Sequence, residues 1–75
     1  MVIPPAETRT MSRIINLAVD LAESGMKADG YAVLLAGRHV ADAGHGVQEP
    51  WMAELNRLWQ RTLDRYAAHY DVGRA

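Results

Sequence analysis

The stretch DGYAVLLAGRHVADAGHG, residues 29–46, decides the fold because it reads in two ways. As a hairpin, Tyr31–Ala36 is one strand, Gly37-Arg38 a two-residue turn and His39–Ala43 the return strand. That register sets Asp42 opposite Val33 and fills the second strand with alanine, a poor strand former. As a helix, the segment begins at Asp29, a residue type that caps helices, and stops at Gly44 or Gly46. Four alanines between positions 32 and 43 favour the helix by intrinsic propensity. A helix over about residues 30–43 is the expectation.

On a helix, Gly30, Gly37 and Gly44 fall seven residues apart and line one side, with Val33, Val40 and Ala41 on neighbouring rows. An interior glycine costs about 1 kcal/mol relative to alanine, which the close approach of another helix would offset. The three glycines are therefore candidate helix-packing positions, within the chain or across a dimer. A kink at Gly37 is the alternative.

The flanking segments are less ambiguous. In TRTMSRIINLAVDLAESG, residues 8–25, Met11, Ile14, Ile15, Ala18, Leu21 and Ala22 form one apolar stripe, with Arg13, Asn16, Asp20 and Glu23 on the other side. Thr8 or Thr10 suits the start, and Gly25 suits the position just past the end, where a positive φ is needed. In EPWMAELNRLWQRTLDRYAAHY, residues 49–70, Trp51, Leu55, Leu58, Trp59, Thr62, Tyr66 and Tyr70 make a second stripe. Pro50 fits the first helical turn, where its missing N–H has no partner to lose, and Glu49 sits favourably at the positive helix end. The expected architecture is all-α: one domain over residues 1–75, with helices at about 8–24, 30–43 and 50–70. Short connections make it a small antiparallel helical hairpin or three-helix bundle with a long C-terminal helix. Within it Trp51, Leu55, Trp59 and Tyr66 serve helix packing or an interface.

Size and charge bound the function. A chain of 75 residues buries only roughly 60% of its unfolded surface, so pairing with a second copy or another protein is a common remedy. A net charge of −1 and a pI near 6.2 provide no general attraction to nucleic acid or to an anionic membrane. There is no cysteine, hence no disulfide, thiol nucleophile or thiolate metal ligand. MVIPPAET does not read as a secretory signal, and YAVLLA at 31–36 is too short to cross a bilayer. A cytoplasmic protein without a membrane partner is the expectation.

Few residues point to chemistry. His39, Asp42 and His45 are metal-ligand types, but His45 lies six residues from His39, away from the three- or four-residue spacing that puts ligands on one helical face. No phosphate loop or nucleophile motif is present, and the carboxylate pair Asp20 and Glu23 reads as a solvated face. Neither an enzyme nor a metal or other cofactor is expected. Arg57, Arg61 and Arg65, four residues apart, are the candidate partner-binding row, facing an acidic protein or a phosphate backbone. The plainer alternative is a solvated face in which Asp64 bridges Arg61.

VADAGHGVQEPWMAEL, residues 40–55, resembles the helix-turn-helix of tetracycline-repressor-type regulators through Val40, Ala41, Asp42, Ala43, Gly46, Val47, Glu49 and Pro50. The resemblance implies that Gln48 to Leu55 would enter a major groove. The turn is one residue longer than the motif, Gln48 stands where Ser or Thr is usual, and the reading surface carries Glu49 and Glu54. The leading expectation is accordingly a noncatalytic helical protein–protein interaction module of adaptor, accessory or inhibitor type that self-associates. The alternative is a helix-turn-helix-like DNA-binding regulator using residues 40–57.

Overall fold

Two prolines open the first helix. In a computed structural model that describes residues 2–43 and 49–72, the chain folds into α1 (Pro5–Glu23), α2 (Lys27–Ala43) and α3 (Pro50–Tyr70), with no strand among the described residues. The protein is an all-α three-helix bundle, and residues 29–43 are helical, not a hairpin. Pro5 starts α1 three residues before the expected Thr8, because its fixed φ is already helical and it has no N–H to satisfy. Thr8 and Thr10 are therefore not caps. Their hydroxyls donate back to the carbonyls of Pro5 and Ala6, at 3.0 and 2.9 Å.

The end of α1 is a Schellman turn. The amide of Met26 bonds Leu21 O at 2.8 Å and that of Gly25 bonds Ala22 O at 3.0 Å, with Gly25 at φ 86°. This turn delivers the chain directly into α2 at Lys27, so Asp29 lies inside the first turn instead of capping it. Gly30 is likewise helical, its amide bonded to Met26 O at 3.0 Å. α2 runs unbroken through Gly37, without a kink segment. Its expected stop at Gly44 or Gly46, and Gly44 as a packing glycine, lie outside the described residues. α3 begins at Pro50 behind an extended Glu49 (φ −106°, ψ 147°), whose amide points at the Met52 sulfur 3.1 Å away. It ends where Asp71 turns left-handed at φ 57°.

Two contacts fix how the helices lie. Gly30 faces Ala18 of α1 and Tyr66 of α3, while Gly37 faces Ile14 of α1 and Trp59 of α3. As α2 ascends from 30 to 37, its neighbours descend on both sides, from 18 to 14 and from 66 to 59. α2 is thus antiparallel to both other helices, which run in the same sense as one another. α1 and α3 each pack on α2 and barely meet.

The core is Met11 and Ala18 from α1, Leu34 from α2, and Leu55, Trp59, Leu63 and Tyr66 from α3. Leu34 and Leu63 are each 1% exposed, a burial that contributes about 2 kcal/mol apiece. Leu63 belongs to the row Leu55, Trp59, Leu63, Tyr66, whereas Leu58 and Thr62, one row over, are only half-buried. α3 therefore presents a face centred slightly to one side of the apolar stripe expected from its sequence.

Candidate interaction site

Between α1 and α3 lies an open groove of about 740 Å³. Leu34 of α2 forms its floor, Ile15 and Val19 of α1 form one wall, and Thr62, Tyr66 and Tyr70 of α3 form the other. The groove follows from the local sequence. Ile15 and Val19 are four residues apart on α1, on the side adjoining the buried Met11–Ala18 row. Thr62 and Tyr66 are their counterparts on α3. Because both helices rest on α2 and not on each other, these residues remain half-covered, apart from the buried Tyr66.

Arg65 and His69, both exposed and four residues apart, line the groove where α3 passes it. No Asp or Glu lines it among the described residues. Of the arginine row, Arg57 is held by Glu54, with Nη2 2.5 Å from Oε2. That contact is a hydrogen bond within an ion pair and holds the Glu54 carboxyl below its ordinary range, with a smaller assist from Arg61. Asp64 does not bridge Arg61. Its Oδ1 accepts from Gln60 Nε2 at 3.0 Å, and Gln60 Oε1 accepts from Arg38 Nη1 at 2.7 Å, a relay that ties α3 to α2. Arg61 and Arg65 are left exposed, without an ion-pair partner among the described residues.

The helix-packing residues meet inside the chain. Leu55, Trp59 and Tyr66 are buried, and Trp51 is half-buried against the same cluster. Gly30 and Gly37 are buried between neighbouring helices of one chain. A residue absent from the sequence expectations is the Tyr66 hydroxyl, which donates to Lys27 O of α2 at 2.7 Å and lies 3.5 Å from Ala18 O of α1. It ties all three helices at one point. Burial, with Tyr70 adding to it, raises the Tyr66 phenol above its ordinary pKa. The Tyr66 ring packs between Tyr31 and Tyr70, at centroid distances of 6.2 and 4.6 Å.

Two large apolar side chains outside the groove face solvent. Leu17 is 50% and Val40 68% exposed. Leu17 stands two residues from both Ile15 and Val19, hence on the far side of α1 from the groove. Val40 borders a smaller cleft that it shares with Ile14 of α1 and Trp59 of α3. His39 and Asp42 are exposed on α2, His45 lies outside the described residues, and no three metal-binding side chains converge among the described ones. No described helix is long and apolar enough to cross a membrane. No protein-family model, curated protein or solved structure matches this chain.

Proposed function

We infer that this protein is a noncatalytic protein–protein interaction module, an adaptor, accessory or inhibitor acting in the cytoplasm, and that it self-associates. The observation that carries this is exposed apolar surface, Leu17 on α1 and Val40 on α2, on a body with only seven buried apolar residues among those described. A small domain gains most from covering such residues with a second copy, since each buried apolar side chain contributes about 1.5–3 kcal/mol. Sedimentation equilibrium at micromolar concentration tests it. A dimer that dissociates in Leu17→Glu/Val40→Glu supports self-association, and a strictly monomeric wild type refutes it.

The second reading is DNA binding by residues 40–57, favoured by the exposed Arg61 one helical turn past that segment, which has no ion-pair partner among the described residues. α2 and α3 stay alongside each other from Gly30–Tyr66 to Gly37–Trp59, whereas a helix-turn-helix pair crosses at roughly 90–120°. We therefore rank it second. Retention on random duplex DNA at low salt, lost in Arg57→Ala/Arg61→Ala, would reverse the order.

A further inference from the structure

We propose, resting on the interaction-module reading, that the α1–α3 groove is the docking site for an acidic amphipathic helix of a partner protein. Three features specify that occupant. The first is shape: the groove runs between two helices of the same sense and is open to solvent along one side, as a helix requires, whereas small ligands are held in pockets that cover most of their surface. A helix about 10 Å across rises 5.4 Å per turn, so 740 Å³ takes the inward half of roughly three turns.

The second is polarity. Ile15 and Val19, over the buried Leu34, offer an apolar bed for residues recurring every three or four positions, and Thr62 and Tyr70 put uncharged polar groups on the facing wall.

The third is charge. The charged side chain lining the groove is Arg65, which pairs with no carboxylate among the described residues, and His69 stands beside it one turn on. Arg57, by contrast, is already committed to Glu54. A lip with the unpaired Arg65 on one wall and no carboxylate among the lining residues selects a carboxylate on the facing flank of the incoming helix. A second copy of this chain does not supply that helix. Its exposed Leu17 stands alone on α1, and Leu35 and Val40 are five residues apart on α2, on different faces, so none makes a continuous apolar stripe.

The test uses the full chain and two fluorescent peptides of about 16 residues, each with leucine at helical spacing. One carries glutamate and the other lysine on its flanks. Fluorescence anisotropy at low salt should show the glutamate peptide binding at least roughly tenfold tighter, with the difference shrinking as salt rises. Arg65→Glu should abolish or invert that preference. Val19→Glu, at a half-buried wall position, should remove binding of both peptides while circular dichroism and Tm report an intact fold. Equal affinity for the two peptides, no binding of the glutamate peptide, or binding unchanged in Val19→Glu overturns the proposal. Sedimentation of Val19→Glu separates this from the reading it rests on. Loss of a wild-type dimer in that variant would assign the groove to a second copy and overturn the proposal, while leaving self-association standing. A monomer that binds the glutamate peptide selectively supports the proposal and refutes self-association alone.

Discussion

Gly30→Ala is the sharpest probe of how the three helices are joined. On helix propensity alone, alanine at this position should stabilise by up to about 1 kcal/mol. The structure reverses the sign. A Cβ at Gly30 would lie 2.6 Å from the backbone oxygen of Ala18 and closer still to the Tyr66 hydroxyl. The hydroxyl is held by its bond to Lys27 O, and Ala18 O belongs to a helix backbone, so neither yields cheaply. With two unyielding atoms in the way the overpacking cost falls in the upper part of the usual range, about 2–3 kcal/mol, which leaves a net loss of about 1–2 kcal/mol after the propensity gain. For a domain this small, Tm should fall by about 4–16 °C. Removing the hydroxyl with Tyr66→Phe costs about 0.5–1.5 kcal/mol through the lost hydrogen bond, but it also clears the nearer of the two obstructing atoms. Gly30→Ala should therefore be cheaper in the Tyr66→Phe background, with a coupling of about 1 kcal/mol. Urea denaturation followed by tryptophan fluorescence measures all four corners of the cycle. A Gly30→Ala protein as stable as wild type, or an equal cost in both backgrounds, would refute the close three-helix joint.

Further outcomes follow from the same geometry. Ala36→Gly, on the exposed face of α2, should cost about 1 kcal/mol by propensity alone, giving by calorimetry a reference free of packing effects. Gly25→Ala should cost about 1–2 kcal/mol even though nothing lies within 4 Å of its Cβ position, because the left-handed φ of 86° strains any side chain; a neutral outcome on urea titration would count against the Schellman turn. Leu63→Ala should lose about 2–5 kcal/mol, a large part of the stability of so small a domain, whereas Thr62→Ala one position earlier should lose far less. Tyr66 holds its proton more tightly folded than unfolded, so the stability it contributes is fully present below the ordinary phenol value of 10.0 and declines as pH rises past it. The stability gap between wild type and Tyr66→Phe should accordingly narrow between neutral pH and pH ~11; a constant gap in Tm across that range would contradict the buried phenol.

Part of the candidate site could be read in advance. Arg65 stands out in the sequence as one of a row, and Ile15 as part of an apolar stripe, because both follow from spacing along a single helix. Val19 lies one row outside the α1 stripe and faces the groove only because α3 is set apart from α1, which spacing along α1 does not encode. His69 was legible as a residue type but not as a neighbour of Arg65 on the groove lip. Asp64 illustrates the converse: spacing pairs it with Arg61, yet Gln60, oriented by Arg38 from across α2, occupies it instead.

The sequence by itself determined three helices and most of their ends. Apolar periodicity, proline in the first turn and a glycine past the last act within a few residues, so the chain needs no tertiary contact to express them. Only the tertiary structure decided which row of α3 is buried, that Gly30 and Gly37 make room for Tyr66 and Trp59, and that a groove opens between α1 and α3. The physical reason is that a 3.6-residue period defines a face but not what the face meets. That depends on how helices distant in sequence share one small core, and here two of them share it by leaning on the third.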